Sequence, residues 1–116
     1  MATIKSFTSL EQSRKLAEIL PLESADMCYT LEDFVDEDTG DVFSIEKVSL
    51  GYPSNTEIGC WSLVALLGVL PNENMLVKTT DGEYYCLAKD VMTKHYDNPI
   101  DACVAMIEKL HELKML

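Results

Sequence analysis

Apolar residues recur along this chain with two periods, one of three to four residues and one of two. Near the start, Thr8 followed three positions later by Glu11 has the pattern of a capping box, and apolar residues at helical spacing continue until Pro21. Near the end, Asn98 and Pro99 are residue types preferred at the N-cap and the first position of a helix. These patterns predict one helix in each terminal part.

Between these helices the sequence predicts two β-hairpins. Residues 27–35 and 42–50 are rich in β-prone residues, and residues 38–41, Asp-Thr-Gly-Asp, form a natural turn between them. Residues 75–79 and 83–88 flank Asp81 and Gly82. This dipeptide favours a tight type I′ turn because it tolerates positive φ angles.

Residues 58–70 are apolar on nearly every side, with Thr56 available as a cap and Pro71 as a stop. This pattern indicates a central buried helix. The predicted order is α-β-β-α-β-β-α, which favours an α+β fold with an antiparallel sheet of about four strands and helices packed on it. A length of 116 residues and a hydrophobic fraction of 47% predict a single domain over residues 1–116.

Three stretches of the chain resemble a group of small uncharacterised proteins encoded in gut bacteria and their phages or mobile elements. The stretches begin at Ser9-Leu10-Glu11, Cys60-Trp61-Ser62 and Asp97-Asn98-Pro99, and together they cover about half of the chain. This group has no assigned activity. The resemblance therefore implies a biological setting, and no functional residue is carried over from it.

The charge of the chain is strongly negative and unevenly distributed. The formal net charge is −11, and no Lys, Arg or His lies between Lys15 and Lys47. Ten acidic residues occupy that interval: Glu18, Glu23, Asp26, Glu32, Asp33, Asp36, Glu37, Asp38, Asp41 and Glu46. Such a field repels phosphate backbones, which disfavours direct nucleic-acid binding. The candidate binding surface consists of Asp36, Glu37, Asp38 and Asp41.

The cysteines and the first residues indicate a protein of the reducing cytoplasm. Residues 1–6 lack a basic stretch followed by an apolar run, and the apolar stretch 63–70 is too short to span a bilayer. No cysteine belongs to a CxxC pair, so we expect buried free thiols rather than disulfides. The four cysteines are Cys28, Cys60, Cys86 and Cys103.

One pair of residues suggests covalent catalysis. Cys60 before Trp61, at the predicted helix start, locally resembles the Cys-Trp pair of papain-like cysteine proteases. A helix N-terminus lowers the pKa of a thiol, His95 is a candidate base, and Asp97 or Asn98 is a candidate to orient it. Of the Gly and Cys that precede the papain-like nucleophile only Gly59 remains, and free cysteine is usually buried, which favours a structural role.

No metal or cofactor site is predicted. A calcium loop that begins at Asp36 would place Gly40 at position five rather than six and Lys47 where the bidentate Glu belongs. His95 and His111 have no Cys or His partner at zinc-ligand spacing.

Three functional hypotheses follow. The leading one is a non-enzymatic interaction protein that binds a protein partner or associates with itself. The second is an acidic DNA mimic or inhibitor of a basic partner. The third is a cysteine hydrolase that uses Cys60 and His95.

Overall fold

The computed structural model describes residues 5–54 and 57–116, and it has the predicted α+β class. The helices are α1 (Leu10–Ala17), α2 (Leu63–Val69) and α3 (Pro99–Glu112), with a 3₁₀ turn at Leu22–Ser24. The strands are β1 (Met27–Val35), β2 (Val42–Leu50), β3 (Ile58–Cys60), β4 (Met75–Lys78), β5 (Tyr84–Ala88) and β6 (Val91–Met92). They form two antiparallel three-stranded sheets, ordered β2-β1-β3 and β4-β5-β6, rather than one sheet of about four strands.

The helix cap predicted at Thr8 lies one residue further along. The Ser9 hydroxyl accepts a hydrogen bond from the backbone N–H of Gln12, and the Gln12 side chain accepts one from the backbone N–H of Ser9. Gln completes a capping box as Glu does, so the motif is shifted by one position. Thr8 is instead buried, and its hydroxyl accepts a hydrogen bond from the backbone N–H of Trp61.

The caps of the other two helices differ in how well the sequence predicts them. Asn98 caps α3 as predicted: its side-chain oxygen accepts from the backbone N–H of Asp101 at 2.8 Å, and Pro99 is the first helical residue. In α2 the N-cap is Ser62, whose hydroxyl accepts from the backbone N–H of Ala65. The predicted cap Thr56 lies outside the described residues.

The first part of the predicted central helix is wrong, because Ile58–Cys60 is strand β3. It pairs with β1 in the register Met27↔Cys60 and Tyr29↔Ile58. Glycine suits this strand because a Cβ at Gly59 would lie 3.1 Å from Leu22 Cδ1 and 3.2 Å from the side chain of Ala25. The helix begins only after Ser62.

The second hairpin lies where the sequence predicts it, but its turn is not type I′. Gly82 is the residue of this loop with a positive φ, 83°, and its N–H donates to the Thr79 carbonyl at 3.0 Å. The Thr79 N–H donates to the Glu83 carbonyl at 2.8 Å. These bonds define a three-residue loop that ends in a left-handed glycine.

The third strand of the second sheet, β6, was not predicted from the sequence. The chain turns from β5 into β6 through Lys89 and Asp90, which both take left-handed conformations with φ angles of 48° and 63°. Left-handed turns are usually marked by glycine or asparagine. Lys89 carries no such signal.

The core has two parts. The main cluster joins the helices to the second sheet and includes the fully buried Leu16, Trp61, Leu66 and Leu110. The Trp61 indole N–H donates to the Ser24 hydroxyl at 3.0 Å. A smaller cluster lies on the first sheet and comprises Met27, Tyr29 and Cys60 with Phe7, Leu10, Val48 and Ile58 packed on it. All four cysteines are buried and free, which confirms that prediction.

The molecule is elongated. Its radius of gyration is 16.3 Å, whereas a compact domain of this length would have one of about 13 Å. Its principal extents are 56 × 34 × 23 Å. Among the described side chains, none from residues 30–47 belongs to either core cluster.

Candidate interaction surface

The β1–β2 hairpin extends beyond the body of the protein. All nine residues of β1 pair with β2, but β3 pairs only with Met27 to Tyr29. Beyond Thr30 the hairpin therefore has two strands, and the side chains of residues 32–47 are exposed. We call residues 30–47 the ribbon. Its six-residue strands are about 17 Å long at the usual rise per residue.

One face of the ribbon carries an exposed apolar patch. Phe34 and Phe43 are directly opposite each other, with their rings stacked at a centroid distance of 5.8 Å. They remain 40% and 48% exposed, and Ile45 next to them is 48% exposed. Glu32 and Lys47 share this face and form an ion pair at 4.0 Å. We call it the aromatic face; its charges balance.

The opposite face is acidic. Asp33 and Glu46 lie on it, because alternate residues of a strand share a face. The Ser44 hydroxyl donates to the Asp33 carboxylate, which joins the two strands. Val35 and Val42 are paired at its outer end and are 64% and 66% exposed. We call it the acidic face.

The turn at the end of the ribbon contains the four acidic residues that the sequence analysis proposes as a binding surface, and all are exposed. The Asp36 side chain accepts from the backbone N–H groups of Asp38 and Thr39 at 2.8 and 3.2 Å. Asp36 therefore has a structural role in the turn. Within the described residues, no three His, Cys, Asp or Glu side chains are grouped so that they could hold a metal ion.

The ribbon as a whole has a formal charge of −6. Seven acidic residues, Glu32, Asp33, Asp36, Glu37, Asp38, Asp41 and Glu46, stand against Lys47 alone. A surface that is both apolar and strongly acidic suits a partner that is apolar and basic.

The free edge of β2 offers unpaired backbone groups. At the two ends of the hairpin, the Gly51 N–H donates to the Asp26 carbonyl at 2.9 Å, and the Asp36 N–H donates to the Asp41 carbonyl at 2.8 Å. Hydrogen-bonded and non-hydrogen-bonded pairs alternate along an antiparallel ladder. In this register the backbone groups of the even-numbered residues of β1 therefore form hydrogen bonds with those of the odd-numbered residues of β2. The ribbon residues of β2 whose backbone groups point outward are Val42, Ser44 and Glu46. Among the described residues, no strand pairs with this edge.

Glu57 holds the base of the ribbon. Its carboxylate accepts from the Ser54 backbone N–H at 2.9 Å. It also accepts from Thr30 Oγ1 at 3.0 Å and Cys28 Sγ at 3.2 Å. These hydrogen bonds, that of the Ser54 N–H first, lower the pKa of Glu57 to about 2. The carboxylate therefore remains ionised and adds negative charge beside the ribbon.

The position predicted for Cys60, at a helix start, is wrong. Cys60 lies in β3 with 0% of its surface exposed. Its thiol donates to the Thr8 carbonyl at 3.5 Å, and burial raises its pKa. A buried thiol with a raised pKa is a poor nucleophile.

His95 and Asp97 have other partners. The His95 ring stacks on Tyr85 of β5 at 4.9 Å, with Nδ1 3.9 Å from the Glu83 carboxylate. Asp97 accepts from the Asn98 side chain at 3.0 Å. Within residues 5–54 and 57–116, Cys60 and His95 share no hydrogen bond, so the structure does not assemble the thiol–imidazole pair that a cysteine hydrolase requires.

The acidic turn was predicted from the sequence, whereas the aromatic face was not. The signal for it in the sequence is at Asp33 and Phe34, where the alternation of apolar and polar residues along residues 27–35 is interrupted. A strand with one buried face alternates strictly, whereas a ribbon exposed on both faces need not.

No family model, curated protein or solved structure matches this chain. In the described part of the chain, no helix has both the length and the apolar character that crossing a membrane requires.

Proposed function

We propose that this protein is a non-enzymatic interaction protein that binds a basic protein partner through its ribbon. The observation that carries the proposal is the stacked pair of Phe34 and Phe43, which remain 40% and 48% exposed on a two-stranded extension outside the core. Exposed aromatic residues grouped with other apolar side chains are typical of protein interfaces.

The charge of the ribbon supports a basic partner over a second copy of the chain. Two ribbons would each bring a charge of −6 to a shared interface, in a chain whose net charge is −11. Like charges at an interface are strongly unfavourable, whereas a basic partner gains attraction and faster association.

The setting is part of the same proposal. We propose a cytoplasmic protein, which the four free cysteines support. The resemblance stated above supports an origin in gut bacteria and their phages or mobile elements.

A comparative capture experiment tests the proposal. The wild type, the double variant Phe34→Ser/Phe43→Ser and a control double variant, Val64→Ser/Met92→Ser, are immobilised and exposed to a bacterial lysate. The control removes two apolar side chains that are 79% and 63% exposed outside the ribbon. We expect the wild type and the control to capture one or more basic proteins. The variant with Phe34→Ser and Phe43→Ser should not capture them. Identical sets on all three, or no bound protein, would contradict the proposal.

The DNA-mimic hypothesis is a narrower form of this proposal, supported by the charge of the ribbon. If it is right, the captured partner should be released by double-stranded DNA, and a variant with Asp36→Asn, Glu37→Gln, Asp38→Asn and Asp41→Asn should not bind it. Asn at position 36 can still accept the turn hydrogen bonds, so the variant tests charge. Capture that DNA does not affect would reject mimicry and leave partner binding standing.

A further inference from the structure

We propose that the ribbon binds its partner by β-strand addition: an extended segment with alternating apolar and basic residues pairs with the free edge of β2. This inference rests on the proposed function and specifies its binding mode and the chemistry of the partner segment.

The edge is available along the full length of the ribbon. The outward backbone groups of Val42, Ser44 and Glu46 have no partner strand among the described residues, and the side chains of residues 42–47 are exposed. Natural proteins usually protect such edges with proline, lysine or a bulge. This edge contains no proline, its pairing with β1 is continuous, and its one basic residue is Lys47.

Charge keeps this edge from pairing with itself. A second copy would bring another ribbon of charge −6 alongside, most of it on β1 and the turn, so the two ribbons as a whole would repel each other. A basic strand would face opposite charges instead. The acidic residues therefore favour the binding of a basic strand and disfavour self-association.

The two faces determine the pattern of the added strand. Side chains of an added strand alternate between the faces, as those of β2 do. On the aromatic face they would lie beside Phe43 and Ile45, which favours valine or isoleucine. On the acidic face they would lie beside Val42, Ser44 and Glu46, with Asp33 on the next strand. The two carboxylates on this face favour lysine or arginine in the added strand. The expected segment thus alternates apolar and basic residues.

A defined peptide tests this binding mode. The probe is a fluorescein-labelled nine-residue peptide in which valine and lysine alternate, followed by fluorescence anisotropy with the wild type. Two peptides are controls: one of the same composition with its valines and lysines in separate blocks, and one with the alternating sequence but every backbone nitrogen methylated. We expect the block peptide to bind at least tenfold more weakly and the methylated peptide not to bind.

The matched protein variants are Ser44→Pro and Ser44→Ala. Both lose the hydroxyl that bonds Asp33, but only proline removes the outward N–H, and that N–H makes no bond to β1. We expect Ser44→Pro to weaken peptide binding at least tenfold relative to Ser44→Ala. If Ser44→Pro fails to fold, the methylated peptide still tests whether binding requires backbone hydrogen bonds, because it leaves the protein unchanged.

The outcomes separate this inference from the proposed function. Equal binding of the methylated peptide, or no binding of the alternating peptide by the wild type, overturns strand addition. Partner capture that depends on Phe34 and Phe43 would then still support the ribbon as an interaction surface. Dimerisation of the wild type that Ser44→Pro abolishes would make a second copy the occupant and overturn the assignment to a basic segment.

Discussion

Removal of the outer part of the ribbon, residues 33–44, should leave the rest of the protein folded. The variant replaces residues 33–44 with Asn-Gly, so that Glu32 and Ile45 flank a two-residue turn. These two residues are directly opposite each other and exchange backbone hydrogen bonds, which is the pairing that a type I′ turn closes. The body of the protein, with both core clusters, is untouched.

The expected change in stability is small. The shortened chain loses the stack of Phe34 on Phe43, which contributes about 1 kcal/mol. It also has fewer residues to order, and each costs about 1–2 kcal/mol of backbone entropy, which the lost ladder hydrogen bonds and burial had offset. We expect the free energy of unfolding to change by no more than about 1 kcal/mol and Tm by less than about 5 °C.

Circular dichroism melts and urea titrations measure this change. The matched control is Leu66→Ala, which empties a fully buried position of the main core. It should cost about 3 kcal/mol and lower Tm by roughly 12 °C. If the shortened variant lost as much stability as Leu66→Ala, or unfolded without cooperativity, the ribbon would be part of the cooperative core and not an appendage.

Three further predictions concern the body. Because the pKa of Glu57 is about 2 in the folded state, below its usual 4.5, its contribution to stability is complete above about pH 4.5 and is lost as the pH falls toward 2. The urea midpoints of the wild type and Glu57→Gln should therefore differ at pH 6 and converge at pH 2; a constant difference would contradict this. Asn98→Ala should destabilise the protein by about 1–2 kcal/mol in urea unfolding, and Asn98→Ser, which keeps a capping oxygen and adds no charge beside the carboxylates of Asp97 and Asp101, by less. Since every cysteine is buried, a thiol reagent should modify the native protein far more slowly than the urea-unfolded chain. If peptide mapping showed that Cys60 reacts equally fast in both states, its burial would be contradicted.

Local signals in the sequence predicted most elements. The boundaries of β1 and β2 agree with the predicted segments 27–35 and 42–50, and Asn98 with Pro99 marks the start of α3. These elements carry their own turn or capping chemistry, which acts within a few residues.

The misplaced elements depend on contacts distant in sequence. Ile58–Cys60 is too short and too apolar to be distinguished from a helical segment by periodicity. It becomes a strand because β1 is available to pair with it. The capping box begins at Ser9 rather than Thr8. The Thr8 hydroxyl instead accepts a hydrogen bond from the Trp61 backbone N–H, a contact that the local sequence pattern does not contain.

The candidate site was predicted only in part, for a related reason. The acidic turn was visible as a run of charges, but the exposure of Phe34 and Phe43 depends on where β3 ends along β1. Sequence patterns encode which residues are apolar, and burial is decided by which strands reach them. The burial of Cys60 in β3 and the stacking of His95 on Tyr85 likewise depend on strand pairing that the local sequence does not contain.

Trp61 is the single tryptophan of the chain, fully buried in the main core and bonded to Ser24. Its fluorescence therefore reports on the body of the protein, and the ribbon contains no fluorophore of that kind. Attachment of a tryptophan-free peptide at the ribbon should leave the emission maximum unchanged, whereas unfolding should shift it to longer wavelength. Intrinsic fluorescence thus distinguishes, in one sample, a ligand that binds the ribbon from one that disrupts the fold.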